Sequence, residues 1–166
     1  SRNRVFEQIK ERQQSYLDGK EKNPLLIFPE GATTNGEYML SFKKGPFASL
    51  LPIQPYITNP HSMNISVPLN YSFFITAHSL PLIPFADMLF GQGKTLNIHC
   101  FPVFIPNEYF WKNHMKENEK KADTYMRVMR EIMIDNSDHK DGGEFSDIDR
   151  FKFIAAVEGK SELKEM

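Results

Sequence analysis

The stretch Leu25–Phe47, LLIFPEGATTNGEYMLSFKKGPF, gathers the residues of this chain best suited to chemistry. It opens with the apolar run Leu25-Leu26-Ile27-Phe28, the length of a buried strand. Pro29, which has no N–H to give a central ladder, stops that run. Glu30-Gly31 follows, then Ala32-Thr33-Thr34-Asn35-Gly36. Hydroxyls and backbone N–H groups are thus concentrated where a strand empties into a loop. In α/β sheets, ligands bind at the carboxyl ends of strands. Glycine at 31 lets the backbone approach a ligand closely. Lys43-Lys44 add fixed positive charge beside Gly45-Pro46. N–H donors, hydroxyls and a nearby cation together suit a phosphate. A solvated charge pair is the ordinary fate of adjacent lysines. Neighbours on a strand point to opposite faces, so at most one of the two faces this loop.

The elements around the loop follow from periodicity. Arg2–Asp18 reads as a helix in which Val5, Phe6, Ile9 and Leu17 share a face, with Gly19 as its C-cap. Tyr38–Phe42 is a short strand or an ordered loop, and Gly45–Leu50 one or two helical turns. Ile53–Thr58 is a strand interrupted by Pro55, Asn59-Pro60-His61-Ser62 a turn, and Ile65–Tyr71 a weaker strand. Phe73–Phe90 is rich in aromatics and leucine and broken by Pro81 and Pro84. It reads as one or two helices packed on the sheet, with a lipid-facing surface as the alternative. Thr95–Ile105 is a late strand ending in Pro102 and Pro106. Asn107–Lys121 is a polar connection with a helical turn. Ala122–Ile134 is an amphipathic helix with Ala122, Tyr125, Met126, Met129, Ile132 and Met133 on one face, and Asp123 and Arg127 as an i,i+4 pair. Asp135–Gly143 is a polar break, and Ser146-Asp147-Ile148-Asp149 resembles a capping box that opens a last helix toward Val157.

Other reactive residues have plainer readings. Cys100, between His99 and Phe101 in an apolar strand, reads as a buried inert thiol. The acidic stretch Asp135–Ile148 fails the calcium-loop register: with Gly142 at position six, Ser137 and Ile148 fall where Asp and Glu are required. Asn64-Ile65-Ser66 and Asn70-Tyr71-Ser72 match a glycosylation pattern but lie in or beside a strand.

Length and composition are those of one folded domain: 166 residues, 40% hydrophobic and 25% charged. Twenty Lys+Arg against 21 Asp+Glu leave a formal net charge of −1, with no basic excess for nucleic acid. A single cysteine cannot form an intrachain disulfide. No stretch is apolar enough to span a membrane; Phe73–Phe90 contains His78, Pro81, Pro84 and Asp87. The chain starts with Ser1-Arg2-Asn3-Arg4, inside an apparent helix, and reads as beginning mid-domain.

Phe28-Pro29-Glu30-Gly31, Thr34-Asn35, Phe42-Lys43, Gly45-Pro46-Phe47 and Leu51-Pro52-Ile53-Gln54-Pro55 occur in that order. They resemble the third and fourth signature blocks of the glycerolipid acyltransferases, in the lysophosphatidylcholine acyltransferase-like branch. The likeness extends to Phe101-Pro102-Val103-Phe104 and Gly143-Glu144-Phe145-Ser146-Asp147, and so covers most of the chain. There are two departures. The family threonine after the FPEG block is Ala32, and the family's His-x-x-x-x-Asp block, which carries the catalytic base, is absent. Position +5 is Ser66 for His61, Ile83 for His78, Phe104 for His99, Glu119 for His114 and Glu144 for His139.

The resemblance implies an α/β fold, a mixed and largely parallel sheet flanked by helices. Residues 1–158 would be the C-terminal two-thirds of an acyltransferase-like domain and 159–166 a mobile tail. It implies acyl transfer from acyl-CoA to a lysophospholipid hydroxyl, with a His base supplied upstream and no cofactor or metal. It implies Gly31, Thr33, Thr34 and, by block position, Lys43 around the acceptor phosphate. Glu30, itself an anion, would accept a hydroxyl hydrogen bond or orient Lys43 or an upstream arginine. The partners implied are acyl-CoA, lysophospholipid and a membrane surface, that of the endoplasmic reticulum first and of mitochondria second. Missing catalytic residues and Ala32 fit a second reading, a non-catalytic structural or lipid-holding subunit of a membrane assembly.

Overall fold

The computed structural model describes residues 2–32, 37–62, 94–146, 148–149 and 152. It combines helices with small sheets, an arrangement compatible with the α/β class. The chain divides into two compact units. The first holds residues 1–31, 42–55 and 100–137; the second holds 32–41, 56–99 and 138–166.

In the first unit, α1 spans Arg2–Leu17. It closes at Gly19 in the left-handed region (φ +72°), with Gly19 and Lys20 N–H donating back to Tyr16 and Ser15 carbonyls. Phe6 and Ile9 lie against Gly45, and Ser49 Oγ donates to Gln13 Oε1 at 2.6 Å. The rest of the predicted apolar face is open: Val5 and Leu17 are exposed. A 3₁₀ turn, Gly45–Phe47, follows Lys44. Ile53 and Phe104 then form an isolated antiparallel bridge through a pair of N–H···O bonds of 3.0 and 2.8 Å.

Helix α2, Glu108–His114, is capped by Asn107, whose Oδ1 accepts from Phe110 N–H at 2.8 Å. Helix α3, Lys121–Asp135, buries Thr124, Tyr125, Val128 and Met129. That stripe is rotated from the predicted one: Ala122, Met126, Ile132 and Met133 are only half-buried. Tyr125 organises the core. It is fully buried, its ring meets Phe47 edge-on at 5.4 Å and Phe104 at 5.6 Å, and its hydroxyl donates to the Leu51 carbonyl at 3.1 Å. Burial pushes the Tyr125 hydroxyl far above the ordinary tyrosine range, so it stays a neutral donor.

The predicted Asp123–Arg127 pair does not form. Asp123 holds Lys44 at 2.6 Å, and Arg127 binds Glu119 at 3.0 Å and Glu131 at 3.3 Å. Lys44 and Glu119, from outside the helix, and Glu131, one turn further on, take the place of that pairing.

In the second unit, β1 (Tyr38–Leu40) pairs in parallel with β4 (Lys140–Gly142), Met39 opposite Asp141. The predicted polar break after α3 thus contains a strand, too short and polar for an alternation signal. β2 (Tyr56–Ser62) and β3 (Lys94–Cys100) form a second two-stranded sheet. The predicted turn at Asn59–Ser62 is therefore strand. Cys100 is exposed, not buried, as are Asn97, Ile98 and His99 beside it; among the described residues nothing covers this end of β3.

Ser146 opens a helical turn as its pattern implies. Asp149 Oδ2 accepts from both Ser146 N–H (2.9 Å) and Ser146 Oγ (3.0 Å), which holds the Asp149 carboxyl below the usual range. The predicted strand Ile65–Tyr71, the Phe73–Phe90 segment, both glycosylation patterns and most of the last helix and tail lie outside the described residues.

Candidate substrate-binding site

Leu25–Phe28 is not a strand. Residues 24–28 have no regular structure, and Leu26 and Phe28 are 70% and 73% exposed. An apolar run becomes a strand only when a neighbour completes its ladder. Among the described residues no strand pairs with it. The site residues are therefore held by a turn, not by the end of a sheet.

That turn is fixed by glycine. Gly31 N–H donates to the Phe28 carbonyl at 3.2 Å, and Gly31 takes φ +68°, a left-handed conformation open to glycine at little cost. Lys43 returns across it. Its N–H donates to the Pro29 carbonyl at 2.7 Å. Its side chain crosses Gly31 so closely that a Cβ at 31 would stand 2.5 Å from Lys43 Cε and 3.1 Å from Nζ. Gly31 and Lys43, far apart in sequence, are thus brought together, and an ammonium lies over a bare backbone turn. Glu30, half-buried, sits in the same turn. Thr33 and Thr34 lie outside the described residues.

The segment carrying Lys43 is anchored from behind. Phe42 is buried and stacks on Phe47 with ring centroids 6.1 Å apart. Lys44 leaves in another direction, to Asp123 on α3. The two adjacent lysines therefore have separate partners, although they sit in a loop and not on a strand. The sequence marks Asp123 only as a partner of Arg127, since only tertiary structure brings it to Lys44.

The near-match His114–Glu119 is otherwise engaged. Glu119, five residues after His114, accepts from Arg127 Nε and Nη2 (both 3.0 Å) and from Thr124 Oγ1 (2.8 Å). The Arg127 guanidinium holds the Glu119 carboxyl down to about 2, and Arg127 is raised in turn. The His114 ring packs on Phe110 at 5.3 Å, and its carbonyl accepts from Arg127 Nη2 at 2.7 Å. These groups clamp α2 to α3. Burial lowers the His139 pKa. His61 lies in β2 and His99 is exposed; His78 is outside the described residues.

In the second unit an open cleft of about 370 Å³ is lined by Asp141, Gly143, Glu144 and Phe145. Its two carboxylates make it a poor host for an anion. Among the described residues no cluster of His, Cys, Asp and Glu could hold a metal ion, and no helix is long and apolar enough to cross a membrane.

Sequence comparison gives relatives of one kind. The chain is 28% identical over 115 residues to lysophospholipid acyltransferase LPEAT2 of Arabidopsis thaliana, covering 68% of this chain and 20% of that protein. It is 41% identical over 49 residues to lysophospholipid acyltransferase LPEAT1 of the same plant, covering 30% and 12%. It is 31% identical over 97 residues to lysophosphatidylcholine acyltransferase 2B of Rattus norvegicus, covering 57% and 17%. No family model and no solved structure matches. The matched part thus spans a fifth or less of each of these relatives. Over that part, the sequence of this chain resembles the lysophospholipid acyltransferases.

Proposed function

We propose that this chain forms the acceptor-holding part of a lysophospholipid acyltransferase. The observation that carries this reading is Lys43 crossing the left-handed Gly31 turn. The similarity to the lysophospholipid acyltransferases supports it. A phosphate diester is bound by a cation and by N–H groups that need no side chain to be moved aside. In this reading the Lys43 ammonium, the backbone around Gly31 and the hydroxyls of Thr33 and Thr34 meet the phosphate. Glu30 accepts a hydrogen bond from an acceptor hydroxyl or orients Lys43. The domain completes a largely parallel α/β sheet, and Phe73–Phe90 shelters the acyl tail at a membrane surface, that of the endoplasmic reticulum.

The donor is acyl-CoA. A His base removes the proton of the acceptor hydroxyl, the alkoxide oxygen attacks the thioester carbonyl, and the C–S bond breaks to release CoA thiolate. That base lies in a His-x-x-x-x-Asp segment ahead of residue 1, because no histidine of this chain has Asp at the required spacing.

The test is release of CoA thiol from acyl-CoA, measured with and without lysophospholipid. The full-length protein carrying the His–Asp segment should show acceptor-dependent release, and residues 1–166 alone should show none. Turnover by the isolated chain would refute the assignment of the base. A folded full-length protein inactive across lysolipid head groups and acyl-CoA lengths would support the second reading, a structural subunit, for which Ala32 in place of the family threonine is the specific sign.

A further inference from the structure

The pairing of Lys44 with Asp123 stands outside every motif considered so far, and it falls at the base of the Lys43 side chain. Lys44 begins the 3₁₀ turn: its carbonyl accepts from Phe47 and Ala48 N–H, both at 3.0 Å. Its ammonium reaches Asp123 Oδ1 at 2.6 Å in the first turn of α3. Two residues on, Tyr125 meets the Phe47 ring edge-on at 5.4 Å. Helix α3 therefore grips this turn at both ends, through an ion pair at Lys44 and an aromatic contact at Phe47. On the other side, the Lys43 N–H is tied to the Pro29 carbonyl at 2.7 Å. The backbone between these ties has little freedom, so the point from which the Lys43 side chain leaves toward Gly31 is set by them.

We propose that Asp123 is a positioning residue: by holding Lys44 it fixes the Lys43 backbone and keeps the second lysine off the Gly31 turn, so that Lys43 alone is presented to the acceptor phosphate. This rests on the reading of the Gly31–Lys43 turn as an acceptor site. The pair is suited to positioning more than to stability. The Lys44 side chain is 59% exposed and that of Asp123 24%, and a half-exposed ion pair contributes little to folding. Its geometric effect is larger, because small displacements of a binding group cost disproportionately. Without Asp123, the Lys44 ammonium loses its partner on α3.

The experiment labels lysines of the full-length protein with an amine-acylating reagent, read by mass spectrometry, with and without lysophosphatidylcholine below its micellar concentration. In the parent, lysophosphatidylcholine should protect Lys43. In Asp123→Asn, Lys44 should label about two- to fivefold faster, and the protection of Lys43 should fall at least about threefold, at the parent's melting midpoint. Lys44→Met removes the same pair from the exposed side and should cause the same loss of Lys43 protection. The reversed pair, Lys44→Glu with Asp123→Lys, should restore it. Full protection of Lys43 in Asp123→Asn and Lys44→Met alike would overturn this inference and leave the acceptor reading standing. Absence of protection in the parent would overturn the acceptor reading, and the inference with it.

Discussion

Lys43 covers the one face of Gly31 where a side chain would stand: a Cβ there would lie 2.5 Å from Lys43 Cε. Gly31→Ala therefore acts twice. The left-handed φ of +68° costs an alanine about 1–2 kcal/mol of stability. The methyl also displaces a flexible lysine, which moves more easily than backbone. The expected outcome is a lowered midpoint in urea unfolding and, in the active full-length protein, a raised KM for lysophospholipid. A variant with parent kinetics would show that Lys43 need not lie across this turn.

Glu30→Gln keeps the size of the side chain and removes its charge. If Glu30 accepts a hydrogen bond from the acceptor or orients Lys43, losing it costs about 1.5–3 kcal/mol, roughly ten- to a hundredfold in acyl-transfer efficiency. The melting midpoint should stay near that of the parent. Unfolding of the variant would make Glu30 a structural residue, and unchanged kinetics would remove it from the site.

The Glu119–Arg127 clamp gives a pH dependence of known sign. Arg127 holds the folded Glu119 carboxyl at about 2, below its ordinary 4.5. The folded state thus binds fewer protons than the unfolded state, and the clamp's contribution is present above pH 4.5 and is lost as pH falls toward about 2. Arg127→Met leaves the carboxylate of Glu119, which is 16% exposed, without its guanidinium. It should destabilise by about 1–3 kcal/mol at neutral pH and flatten the loss of stability over the acid range. Urea unfolding of parent and variant across that range measures both. Parallel curves would assign the acid dependence to other groups.

The sequence made some of this legible and hid the rest for physical reasons. Gly31 could be named because a small residue after a proline stop is a local signal, whereas Lys43 was separated from Lys44 only by its place in the family-like block. Helix α3, the 3₁₀ turn and the Ser146–Asp149 cap follow from equally local patterns. The Asn107 cap was readable in the same way, as an Asn just before a helical acidic residue, and was missed. Leu25–Phe28 was misread because an apolar run reports a need for cover, not the presence of a partner strand. Cys100 was misread for the same reason: alternation is visible, but which face is covered is not. Asp123 has a local partner in Arg127 by spacing, yet its true partner is Lys44, a choice made only when α3 packs on the turn.

The central claim is that the Gly31–Lys43 turn holds the phosphate of the acceptor, and steady-state kinetics of Lys43→Ala in the full-length protein tests it most directly. Losing a charge-assisted contact should raise the lysophospholipid KM by roughly ten- to a hundredfold. The acyl-CoA KM should stay within about twofold, because the turn meets the acceptor and not the donor. An unchanged lysophospholipid KM in a folded, active variant would contradict the account, as would equal rises in both constants.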